Sequence, residues 1–129
     1  MTSSAPRPDV AGLAVLFLAS GTLHLLRPQV FEAIVPPALP ARRTLVHASG
    51  VLEILCAAGL LHPRTRPVVG LASAALLVAV FPANLQMSLV HGGRAWRTRR
   101  PSHMVIFGAT LARLPLQWPL IRTARRAAN

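Results

Sequence analysis

Five side chains interrupt otherwise apolar runs and could carry chemistry: His24, Glu53, Asn84, Arg113 and Gln117. An imidazole, a carboxylate, a guanidinium and two amides can together orient a polar ligand or pass protons. A lone charge at the centre of a bilayer costs at least ~2.5 kcal/mol on the most lenient insertion scale, so each charge there needs a partner. Glu53 closes the stretch ASGVLE and His24 closes ASGTLH, two frames that set an ionisable group three residues after a glycine. The i±3 and i±4 neighbours of Glu53 are Ser49, Gly50, Cys56 and Ala57, all small. They form a seat in which a neighbouring helix can approach the carboxylate closely. Ser20 and Gly21 make the same seat before His24. Two matches of this length are too short to establish a duplication.

The other helices each carry one polar stripe. Arg113 shares a face with Ala109, Thr110 and Gln117, and Asn84 with Ser73, Ser88 and His91. At about 1.5 Å per residue, Glu53 lies roughly 14 Å and Arg113 roughly 15 Å from one face of a hydrocarbon core ~30 Å thick. Asn84 comes at about 9 Å and His24 at about 3 Å on the same scale. This predicts an ion pair between Glu53 and Arg113 near the midplane, with Asn84 and His24 continuing a polar path outward. Such a pair can lock two helices together or serve a ligand or proton site, and the spacing leaves both open. Pro82, Pro115 and Pro119 fall inside spans and are expected to kink them, with Pro82 freeing the Val78 carbonyl and Pro115 that of Leu111.

No catalytic residue is nominated, because there is no nucleophile beside a base and no phosphate-binding loop. Enzymatic activity stays open, and the residues favour a non-enzymatic role for the single chain. His47, His91 and His103 lie near one membrane face, but their spacing matches no metal site, so none is assigned. Cys56 is the single cysteine, which rules out a disulfide or dithiol within one chain and reads as a small packing residue.

These residues need elements to hold them, and composition says which. The chain has 129 residues, 53% of them hydrophobic and only 13% charged. A soluble domain carries roughly a quarter charged residues. Four segments reach bilayer length, at about 10–26, 44–61, 68–90 and 103–121. They define an all-α, four-span bundle over 10–122, with a short tail at 1–9, a basic tail at 123–129 and both termini on one side. The first span also has features of a signal peptide, but Asp9 weakens the basic start and the apolar run continues past any cleavage site.

The 14 cations are all arginine and stand against three acids, a formal charge of +11. They lie between long apolar runs, which argues against nucleic acid and for loops that touch anionic headgroups. The arginines outside the spans divide six against seven between the two sides, so the positive-inside rule sets no orientation. The segment RPQVFEAIVPPALPARR is expected to hold a short interfacial helix with a stripe of Val30, Phe31, Ile34 and Val35, closed by Pro36 and Pro37. HPRTRP reads as a tight turn, and HGGRAWRTRRPS as a flexible basic loop with Trp96 at the interface.

The ordered set H-x3-P-x2-F (His24, Pro28, Phe31), VPP at 35–37, SG-x2-E (Ser49, Gly50, Glu53), FPAN at 81–84 and RLPLQ at 113–117 resembles the DoxX-like family of small four-helix membrane proteins. The resemblance covers about 10–122. It implies a multi-pass protein of a bacterial cytoplasmic membrane and a place as accessory subunit in a membrane redox complex. A quinone or another small amphiphile would then bind in the polar bundle interior. It also allows a non-enzymatic scaffold or assembly factor for partner membrane proteins, and is compatible with a homo-oligomer.

Overall fold

A computed structural model describes residues 5–129, and the described chain is five helices. Residues 1–4 of the expected N-terminal tail lie outside the described residues. Helix α1 spans Pro8–Leu26, with Pro8 in its first turn and the Asp9 carboxylate accepting the Val10 N–H at 2.9 Å. A proline there gives up a donor that the helix would leave unpaired anyway. Helix α2 is a single short piece, Pro28–Glu32. Helix α3 spans Arg42–Leu61, α4 Arg66–Thr98 and α5 Pro101–Ala127. Four of the five, α1, α3, α4 and α5, are long and apolar enough to cross a membrane. The fold is therefore the expected all-α bundle of a multi-pass membrane protein.

HPRTRP is the expected tight turn, and its polar residues close the end of α3. Thr65 Oγ1 donates to the Gly59 carbonyl at 2.8 Å, and Arg66 Nε to the Leu60 carbonyl at 2.9 Å. These carbonyls have no partner within the helix and would otherwise face lipid unsatisfied.

Three expected boundaries shift. The stretch read as a flexible loop after 90 is helical through Thr98, and the chain reverses only at Arg99, whose φ of 53° is left-handed, and Arg100. Gly92 is there for contact, since a Cβ on it would lie 2.8 Å from the Phe107 ring of α5. The stretch read as a basic tail from 123 is the last turn of α5. Ala124 and Ala127 are buried, and a Cβ on Gly70 would lie 2.7 Å from the Ala124 carbonyl oxygen. The segment after α1 is the third case. Ile34 and Val35 are buried and Phe31 is half-buried, while only Val30 of that stripe is exposed. The expected short helix forms as α2 but ends at Glu32, and the connector after it folds onto the bundle with Ile34 and Val35 buried.

Helices α1 and α3 pack closely as one pair, and α4 and α5 as another; the pairs meet through looser seams, α3 on α4 and α1 on α5. The tight core draws on Val10, Leu13 and Phe17 of α1, Cys56 and Leu60 of α3, Leu77 of α4 and Ala124 of α5. It thus gathers the first half of α1, the second half of α3, the first half of α4 and the end of α5. Outside the bundle, large apolar side chains such as Val15, Leu55, Leu71, Val105 and Trp118 are exposed, as lipid-facing positions require.

Candidate functional site

Away from that core the bundle becomes polar and hollow. The two ASG frames explain how. They pack against one another: a Cβ on Gly21 would lie 2.6 Å from the Gly50 carbonyl oxygen, and one on Gly50 would lie 2.8 Å from His24 Cβ. Glycine at both positions lets the backbones of α1 and α3 touch. Each seat receives the other, and the residues three places on are brought together.

His24 Nδ1 consequently lies 3.6 Å from Glu53 Oε2. It lies closer still to the Ser20 carbonyl oxygen, at 2.6 Å. A carbonyl only accepts, so Nδ1 carries the proton and Nε2 is the nitrogen left free. Phe31 of α2 stacks on the imidazole, with ring centroids 3.8 Å apart and 18° between planes. The short helix thus fixes the ring that faces the carboxylate. Sequence placed His24 near the surface, about 3 Å deep. The structure sets it beside Glu53, because α1 ends well short of the start of α3 and the connector covers the step.

Glu53 is 5% exposed, and its Oε2 has no hydrogen-bond partner among the described residues. The expected direct ion pair with Arg113 is not formed. His24 and Arg113 act on Glu53 electrostatically and the Ser20 side chain by hydrogen bonding, but Arg113 is exposed at the mouth of the site. The reason is geometric: α3 and α5 sit diagonally across the bundle, while α4 and α1 are the close neighbours of each. His24 on the adjacent helix takes the contact instead.

Asn84 and Gln117 are both buried and joined, Asn84 Nδ2 donating to Gln117 Oε1 at 3.0 Å. Gln117 Nε2 in turn donates to the Leu77 carbonyl oxygen. Pro82 was expected to offer the Val78 carbonyl to the interior; it is the carbonyl one residue earlier that is taken up. The polar stripes do converge, since Glu53, Ser73, Asn84, Ser88, Thr110 and Gln117 are the buried polar residues.

Two cavities flank this cluster. The larger, about 290 Å³, lies under the connector, with Phe31 and Val35 above it and His24, Glu53, Asn84 and Arg113 among its polar walls. Its rim includes Leu45 and Leu52 of α3, 41% and 49% exposed, and Pro82 of α4, also exposed. The smaller, about 220 Å³, lies between α1 and α5 and shares Glu53, Asn84 and Arg113 with the first. Each cavity falls at one of the two looser seams. An apolar hollow with a few convergent polar groups is the usual form of a small-molecule site.

Reading the sequence missed Ser49, Phe31 and the 34–39 segment as walls of the larger cavity. Their signal was the run Ile34–Val35 just before two prolines, which reads equally well as an interfacial stripe. Among the described residues no group of three or more His, Cys, Asp or Glu could hold a metal ion.

Fold and site together define a multi-pass membrane protein, a four-helix bundle with a polar, cavity-bearing interior. The chain belongs to the family described as Domain of unknown function (DUF8561), whose model matches residues 13–128. No curated protein and no solved structure matches it.

Proposed function

We propose that the bundle binds a small amphiphile in the larger cavity, its head among His24, Glu53, Asn84 and Arg113 and its tail toward the lipid between α3 and α4. The observation that carries this reading is the buried Glu53 oxygen without a hydrogen-bond partner, on the wall of a cavity that Arg113 also lines. A buried carboxylate oxygen with a 3.6 Å contact to His24 but no hydrogen bond is incompletely satisfied, at a cost of about 1–3 kcal/mol, and a ligand that donates to it offsets that cost. The resemblance to DoxX-like proteins supports a quinone, oxidised or reduced to the hydroquinone, as one candidate and a membrane redox complex of the cytoplasmic membrane as the setting, with this chain as accessory subunit. The basic residues near Trp96 and at 42–43 support contact with anionic headgroups.

A scaffold or assembly role is the second reading. Only 11% of the apolar stretch of α5 is buried, the lowest share among the four spanning helices, which leaves a long face for a partner helix. Native mass spectrometry of the purified full-length protein in detergent separates the two. A retained small amphiphile that is lost on Arg113→Ala supports the first. A co-purifying protein with no small ligand supports the second and contradicts the first.

A further inference from the structure

The two opposite charges of the site face each other without meeting. Arg113 is near enough to act on Glu53 electrostatically, yet no hydrogen bond or ion pair joins them, and both line both cavities. A group set between them must donate to the carboxylate and accept from the guanidinium. A hydroxyl does both through one oxygen. An ether or ketone only accepts, and would turn its lone pairs on those of the carboxylate. An anionic head would satisfy Arg113 but oppose Glu53, and an ammonium head would do the reverse.

The remaining polar walls favour the same head. Asn84 has committed one of its two amide N–H groups to Gln117, which leaves it one donor and an acceptor oxygen, the complement of a hydroxyl. His24 has committed its Nδ1 proton to the Ser20 carbonyl, which leaves Nε2. The surrounding side chains, Leu45, Leu52, Leu76, Val80 and Met87, are apolar and suit a hydrocarbon tail. Resting on the amphiphile reading above, we infer that the cavity selects amphiphiles whose head carries a hydroxyl, such as long-chain phenols, hydroquinones and alcohols, over molecules of the same shape whose head only accepts.

The test is a pair of probes that differ in one proton donor, 4-nonylphenol and 4-nonylanisole. Each is offered to the full-length protein in detergent, alone and at equal concentration with the other, and uptake is read by native mass spectrometry. The phenol should be taken up saturably and preferred by about tenfold or more, the worth of one hydrogen bond to a charged group. In Glu53→Gln, which keeps the shape but removes the charge and replaces one of the two acceptor oxygens with an NH2, the preference should fall several-fold, from the worth of a hydrogen bond to a charged group to that of a neutral one. In Arg113→Gln both probes should weaken together, since both accept from that guanidinium. Equal uptake by the unaltered protein overturns the hydroxyl assignment while leaving the amphiphile reading standing, and needs no variant to fold. A preference undiminished in Glu53→Gln overturns it as well. Failure of both probes to bind saturably overturns both readings.

Discussion

Gly21 of α1 and Gly50 of α3 touch backbone to backbone, and that contact is what places His24 beside Glu53. Neither glycine is needed for a turn, and neither has a positive φ. Both are needed for proximity. Glycine in a helix is otherwise unfavourable by about 1 kcal/mol against alanine, so the crossing itself must offset that cost.

Gly50→Leu is therefore expected to push α1 from α3 and destabilise the bundle by about 1–3 kcal/mol, the usual cost of overpacking. A denaturant titration in detergent micelles measures it. Gly12→Leu is the matched control, because a Cβ at Gly12 meets nothing within 4 Å, and it should leave the midpoint unlowered or slightly raised by the better helix former.

The Asn84–Gln117–Leu77 chain ties α5 to α4 next to the Pro82 irregularity. Asn84→Leu and Gln117→Leu should each cost about 1 kcal/mol, the scale of polar contacts between helices in lipid. The double variant should cost less than the sum of the two, because the residues share one network. Additive losses in the same titration would show that the chain is not a unit.

Phe31 holds the His24 ring by stacking and also walls the larger cavity. Phe31→Ala should lose about 0.5–1.5 kcal/mol from the stacked pair and shorten the residence of any bound amphiphile. Val30→Ala should do neither, as Val30 is 59% exposed. Dissociation rates followed by native mass spectrometry after dilution distinguish the two variants.

The residues of the tight core bring the starts of α1 and α4 and the ends of α3 and α5 to one end of the bundle. Reporter domains fused to either end of the chain should accordingly report the same side of the membrane. Opposite sides would require an odd number of crossings and would contradict the bundle.

Much of this was legible in the residues. Four apolar runs gave four spanning helices, because a helix is nearly the only way to satisfy a backbone in lipid. The polar stripes pointed inward for the same reason, and His24, Glu53, Asn84 and Gln117 all came together. The partner of Glu53 was misread because depth along a helix says nothing about which helices are adjacent. Arg113 and Glu53 match in depth but sit diagonally, whereas His24 seemed shallow and proved adjacent. The 91–98 stretch was read as part of the flexible basic loop HGGRAWRTRRPS. Helix packing against Phe107 overrode that local preference, since Gly92 serves a close contact and not a bend. The inward fold of 31–39 had only an ambiguous local signal, because apolar residues beside prolines suit an interface and a cavity roof alike.

The most direct test of the central claim is photo-cross-linking with a diazirine-bearing alkylphenol, read by peptide mass spectrometry of the full-length protein in bilayer nanodiscs. The account predicts label concentrated on the cavity wall, at Phe31, Leu52 and Met87, and competed away by unmodified alkylphenol. Label spread over outward positions such as Leu111 and Trp118, without competition, would contradict it.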